Sequence, residues 1–80
     1  MKKNLYAIRD NVSGVFNNPY EMVNDNVAVR TFREICKNNE DIKYHAEDLE
    51  LYKICEYETD TGIITQSIPE LLEKGVKNEI

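Results

Sequence analysis

The stretch from His45 to Gly62, HAEDLELYKICEYETDTG, decides the fold. It reads as a strand, a turn and the start of a second strand. Leu49, Leu51, Cys55 and Tyr57 share one parity, and Tyr52 and Ile54 share the other. A strand sends alternate side chains to opposite faces, so this one offers apolar groups to both. Tyr, Ile and Leu suit a pleated, half-buried surface. Glu58-Thr59-Asp60-Thr61-Gly62 is a polar run ending in glycine, and Ile63 and Ile64 follow at once. That pattern predicts a hairpin loop in which Gly62 supplies a positive φ. The rest of the chain must pack on this hairpin or pair with its edges.

Upstream, Leu5-Tyr6-Ala7-Ile8 reads as a first strand, and Asp10-Asn11 with Ser13-Gly14 as a turn. Gly14-Val15-Phe16 makes a short second strand, stopped by Asn17-Asn18-Pro19 because proline cannot donate to a ladder. Residues 20–23 form a short, partly extended connector. A helix over Asp25–Asn38 follows, capped by Asn24 or Asp25. Its apolar stripe is Ala28, Val29, Phe32, Ile35 and Cys36, and Asn38-Asn39 is expected to end it in the left-handed conformation. Residues 39–48 are a polar loop. Ser67 to Gly75 reads as one or two helical turns, with Pro69 near the start and Gly75 past the end. Residues 76–80 are expected to fray.

The expected fold is therefore α+β: a small antiparallel sheet in β-β-α-β-β order, one helix across a face and a short C-terminal helix. Eighty residues allow one domain, 1–80. One helix cannot cover both faces of strands that are apolar on both sides. Either the segment holding Ile68, Leu71 and Leu72 covers the second face, or a second copy does, which predicts a homo-oligomer.

The net charge of −5 is unevenly placed. Residues 1–38 hold six Lys/Arg against four Asp/Glu, and residues 39–80 hold four against eleven. Overall acidity argues against tight, non-specific nucleic-acid binding, which needs many cations on phosphate. A local contact in the first half stays open. Lys2, Lys3 and Arg9 flank the first strand, and Arg30, Arg33 and Lys37 line the outer helix face. Tyr6, Phe16 and Tyr52 lie at positions that can share a sheet face, where rings stack unpaired bases. The bland alternatives are a solvated helix face and core aromatics. Glu47, Asp48, Glu50, Glu56 and Glu58 form an acidic set that could engage a protein partner; they equally suit a charged strand edge that resists aggregation.

Catalysis and metal binding find little support. Cys36, His45 and Cys55 match no compact zinc spacing and lack an evident fourth ligand. Nothing marks an orienting group or oxyanion site for a Cys–His nucleophile. Three glycines form no phosphate loop. No cofactor or metal is expected. Two cysteines build no disulfide framework and fit a reducing compartment. No apolar run approaches the ~20 residues of a membrane span, so no membrane association is expected.

The sequence resembles the small non-structural protein of the gokushovirus branch of the microviruses, single-stranded DNA bacteriophages. The carrying residues are Leu5 through Asp10, Phe16 through Pro19, Asp25 through Ala28, Arg30 and Phe32, and above all His45 through Tyr57 with Thr61-Gly62. The family pattern there resembles His-Pro-x-Asp-x-x-Leu, Ile-Gly, an acidic-aromatic pair and Thr-Gly. Ala46 stands for the Pro and Cys55 for the Gly. The resemblance implies a non-enzymatic protein of the infected bacterium's cytoplasm, absent from the mature virion, that serves genome replication or packaging. It would bind single-stranded DNA weakly, or a phage or host replication protein. The rival reading is an adaptor that holds a host or phage protein through the acidic hairpin without touching DNA.

Overall fold

The computed structural model describes residues 1–78. The organising hairpin consists of β4 (Leu49–Glu58) and β5 (Ile64–Lys74). Its loop closes with the Glu58 N–H on the Ile63 carbonyl at 2.9 Å and the Gly62 N–H on the Glu58 carbonyl at 2.8 Å. Gly62 has φ +76°, as the turn chemistry requires. β1 (Lys2–Asp10) pairs antiparallel with β4 along its whole length. The other edge of β1 is shared by β2 (Val15–Phe16), opposite Arg9 and Asp10, and β3 (Tyr20–Met22), opposite Asn4 to Tyr6. Asn17 fills the gap between them: its N–H donates to the Ile8 carbonyl at 2.8 Å, and its side-chain oxygen accepts from the Ile8 N–H at 2.7 Å. The sheet order is β2-β1-β4-β5, with β3 beside β1.

The helix α1 spans Asp25–Asn38, the bounds read from the sequence. Asn24 caps it, its side-chain oxygen accepting from the Val27 N–H at 2.8 Å. Ala28, Phe32 and Cys36 are buried and form the core with Tyr6, Ile8, Ala46, Leu49 and Leu51. A 14-residue helix is about 21 Å long, whereas ten strand residues run about 33 Å. The helix therefore covers only the half of β4 that begins at Leu49, and burial along β4 falls off after Leu51.

Three expectations are corrected. The order is β-β-β-α-β-β, because residues 20–22 complete a strand. The segment read as a C-terminal helix is β5, running to Lys74. Pro69 is tolerated there because β5 lies at the sheet edge and carries an irregularity where three of its residues, 67–69, stand opposite Ile54 alone. Gly75 is no helix stop: a Cβ there would lie 1.8 Å from the Ala46 carbonyl oxygen, so the residue allows two backbones to touch. The helix also ends without a left-handed residue, since Asn39 is extended at φ −75° and its N–H bonds the Ile35 carbonyl at 3.0 Å. Of the segment expected to fray, residues 79 and 80 lie outside the described residues. Asn78 donates both amide hydrogens, to the carbonyls of Cys36 at 2.8 Å and Lys43 at 2.7 Å.

Candidate nucleic-acid interface

Register assigns the side chains of the sheet to two faces, because directly opposed residues point the same way. Tyr6 opposes Lys53 and Tyr20, Ile8 opposes Leu51, and Asp10 opposes Leu49; this is the face under α1. Ala7 opposes Tyr52, Arg9 opposes Phe16 and Glu50, and Leu5 opposes Cys55 on the other face. No helix or strand among the described residues packs over that second face.

A bulge changes the membership of the two faces. Tyr6 pairs with Lys53 but Leu5 pairs with Cys55, so β4 gains one residue near Ile54. An extra residue reverses the parity of everything beyond it. Simple alternation groups Tyr57 with Leu51. The observed register instead puts Tyr57, opposite Lys3, on the open face with Tyr52. Lys53 and Glu56, three apart, come to share the helix face, with 3.3 Å between Nζ and Oε1.

The open face carries a compact group of rings and cations. Phe16 and Tyr52 meet edge to face with centroids 5.3 Å apart. Ala7 lies between them in register and is 1% exposed, so these rings close over the smallest side chain of the face. The Arg9 guanidinium sits 5.5 Å from the Phe16 centroid and its Nε donates to Asn11 Oδ1 at 3.1 Å. Next to Arg9 across the sheet come Glu50 and then Lys74. The Tyr52 hydroxyl donates to Glu50 at 3.1 Å, and Lys74 Nζ lies 3.9 Å from its carboxylate. Partial desolvation, then Glu50, raises the Tyr52 hydroxyl above its ordinary pKa. Lys3 belongs to this face and pairs with Glu21 at 2.8 Å. Ile64 and Leu71 add exposed apolar surface.

The residues picked from the sequence divide accordingly. Arg9 and Phe16 come together; Lys3 shares their face but stands at the other end of β1, opposite Tyr57 and roughly 20 Å away at the rise of a strand. Tyr6 is corrected: it is fully buried beneath α1, its hydroxyl donating to Asp25 Oδ1 at 2.6 Å. Burial and then that bond push its pKa well up, so it offers no ring to a ligand. Arg30, Arg33 and Lys37 stand on the far side of the molecule, on the outer surface of α1, and Arg33 is ion-paired with Glu73. Lys2 points to the helix side, 3.6 Å from Glu56. No single strand can lie flat on both sets. Tyr57 and Lys74 were missed by sequence reading, the first through the bulge and the second because a strand was read as a helix.

The acidic set is not gathered into one patch. Glu47 and Asp48 lie in a 3-10 turn, Ala46–Asp48. Glu50 is buried on the open face, whereas Glu56 and Glu58 belong to the helix side. Lys53, then Lys2, hold the Glu56 carboxyl below its ordinary pKa, and the bond from the Met1 amino group does the same for Glu58. Glu70 and Glu73 also register with the helix side, opposite Lys53 and Leu51.

Cys36 lies on the buried stripe of α1 and Cys55 registers with the opposite face of the sheet, so the two thiols stand on different sides of it. Burial pushes the Cys36 thiol up. Among the described residues no three His, Cys, Asp or Glu side chains gather in a metal-binding arrangement. No helix among them is long and apolar enough to cross a membrane.

The family model described as "Phage ORF5 protein" matches residues 3–78. Curated proteins give no match, and solved structures give none.

Proposed function

The chain belongs to the Phage ORF5 protein family, and from that premise we propose that it is a non-enzymatic accessory protein of single-stranded DNA replication or packaging in a microvirus-type phage. It acts in the cytoplasm of the infected bacterium and contacts DNA through the open face of its sheet. The observation that carries this reading is the group of Arg9, Phe16 and Tyr52 on a sheet face that no described element covers. Open sheets with rings and flanking cations receive unstacked bases, since every base has a π-face. The distribution of charge supports it. Glu56, Glu58, Glu70 and Glu73 register away from this face; on it Lys3, Arg9 and Lys74 outnumber Glu21 and Glu50 by one. Duplex DNA, with its bases stacked inside, is a poor ligand for such rings.

Three cations, two of them beside carboxylates, make a weak site. At roughly 0.7 per phosphate for single strands, the slope of log affinity against log salt should not exceed about 2. The same face is the one on which two copies would pair, because its apolar side chains have no other cover. Self-association and DNA therefore compete for it.

The test is fluorescence anisotropy of a labelled oligonucleotide at low and moderate salt. Phe16→Ala/Tyr52→Ala should weaken binding at least about tenfold, given ~1–3 kcal/mol per stacked base. Arg30→Ala/Arg33→Ala, on the far side, should change it little. No binding by the wild type at low salt refutes the DNA reading. Binding lost only in the helix double variant moves the site to α1.

A further inference from the structure

Half of the chain's ten lysines and arginines gather at one end of an otherwise acidic molecule. A cavity of about 360 Å³ lies there, between the C-terminal end of α1, the 39–48 loop and residues 77 and 78. Lys37, Lys43, Tyr44, Glu47, Lys77 and Asn78 line it. A neighbouring concavity of about 510 Å³ shares Lys37 and Asn78 and adds Arg33 and Lys74. Small-molecule sites span about 300–1,000 Å³, so either has room for a ligand of modest size.

The walls of the first cavity are chemically divided. Lys37 and Lys77 make no ion pair with any described residue. Lys43 lies between the Glu40 carboxylate, at 3.2 Å, and the Tyr44 ring, at 5.1 Å from its centroid. Tyr44 is 65% exposed, so its ring is not used by the core. The end of a helix normally presents bare carbonyls that repel an anion. Here the Asn39 N–H occupies the Ile35 carbonyl, and Asn78 occupies that of Cys36. Asn78 also fixes the wall by its second bond, to the Lys43 carbonyl. Three ammonium groups therefore face a concavity whose nearest helix carbonyls are partly quenched, with an exposed aromatic ring at the side, one face of it toward Lys43.

We propose that this cavity binds a nucleotide phosphomonoester, its phosphate on Lys37, Lys43 and Lys77 and its base against Tyr44. Lysine ammoniums are point-charge partners for phosphate. An exposed ring stacks a base whatever its identity. Glu47 is an acceptor for a sugar hydroxyl or a base amino group. Two sources share this chemistry, a free mononucleotide and the phosphorylated end of a single strand. The site is on the helix side of the molecule, so it stands or falls separately from the open sheet face.

The experiment is an amide NMR titration of the intact chain with dAMP, adenosine and inorganic phosphate. Expected are shifts of residues 43–47 and 77–78 with dAMP, with adenosine binding at least about tenfold more weakly, since it lacks the charge-assisted bonds. Lys37→Ala/Lys77→Ala should lose at least about tenfold in dAMP affinity by the same reasoning. Tyr44→Ala should weaken dAMP and leave inorganic phosphate unchanged. Phe16→Ala/Tyr52→Ala, on the open face, should leave dAMP binding intact. Equal responses to dAMP and adenosine, shifts confined to the open face, or inorganic phosphate binding as tightly as dAMP would each overturn the proposal. Once dAMP binds as expected, oligonucleotides with a 5′-phosphate or a 5′-hydroxyl identify the source. A phosphorylated end that outcompetes dAMP assigns the strand end, and the reverse order assigns the free nucleotide.

Discussion

Replacing Gly75 by alanine tests the assignment of the C-terminal segment more sharply than any core truncation. The new methyl carbon would lie 1.8 Å from the Ala46 carbonyl oxygen, 2.8 Å from its carbon and 3.2 Å from the Leu49 carbonyl oxygen. All three are backbone atoms at the junction between the 3-10 turn and β4, so no side chain can swing aside to relieve the clash. The chain must separate there by more than an ångström. The contacts at risk are the Gly75 N–H on the Leu49 carbonyl at 2.8 Å and the two bonds made by Asn78. At about 1 kcal/mol for each hydrogen bond, their loss costs roughly 3 kcal/mol. The whole domain, at ~0.05–0.15 kcal/mol per residue, holds only about 4–12 kcal/mol. With a urea dependence near 1 kcal/mol per molar, the unfolding midpoint of Gly75→Ala should fall by about 3 M, read by circular dichroism. Were residues 67–75 helical instead, the added methyl would be nearly neutral or would raise stability by up to about 1 kcal/mol. A midpoint unchanged or raised would refute the close approach of the two backbones.

Tyr20→Phe should be neutral or stabilise the fold by up to about 2 kcal/mol in urea titration, since the Tyr20 hydroxyl is buried without a hydrogen-bond partner among the described residues. Acid should weaken the β1–β4 pairing through Glu56. Its folded pKa is lowered, so its contribution is complete above the ordinary value of 4.5 and lost as pH falls through the lower folded value. Glu56→Gln should therefore flatten the acid limb of a stability-against-pH curve, and an unchanged limb would contradict the Lys53 and Lys2 pairing. In sedimentation velocity the free protein should self-associate at high concentration, and a short single-stranded oligonucleotide should shift it toward smaller species if both use the open face. Self-association untouched by saturating oligonucleotide would separate the two surfaces.

Much of the fold is legible in local patterns. The α1 bounds follow from a five-residue apolar stripe and an Asn cap, and both glycine turns follow from residues that tolerate positive φ. These signals need only neighbours in the chain. The β5 segment defeats the same reading because Pro69 and Gly75 have two physical uses. Proline near the start and glycine after the end bracket a short helix, but they equally suit an edge-strand irregularity and a tight backbone crossing. Only partners far away in sequence, Ile54 for the first and Ala46 for the second, select between them.

The sequence by itself determined the helix, its buried stripe, the two hairpin turns and the membership of the Phage ORF5 protein family, since each rests on residue types at short spacing. Tertiary structure alone decided which rings are free. Tyr6 and Tyr52 look alike along the chain. Pairing across β1 and β4 sends Tyr6 under α1 and Tyr52 to the open face, and one extra residue near Ile54 brings Tyr57 to the same side as Tyr52. The face of a strand residue is fixed by hydrogen-bond register with another strand, and a bulge of a single residue reverses it, a long-range choice that no local period records.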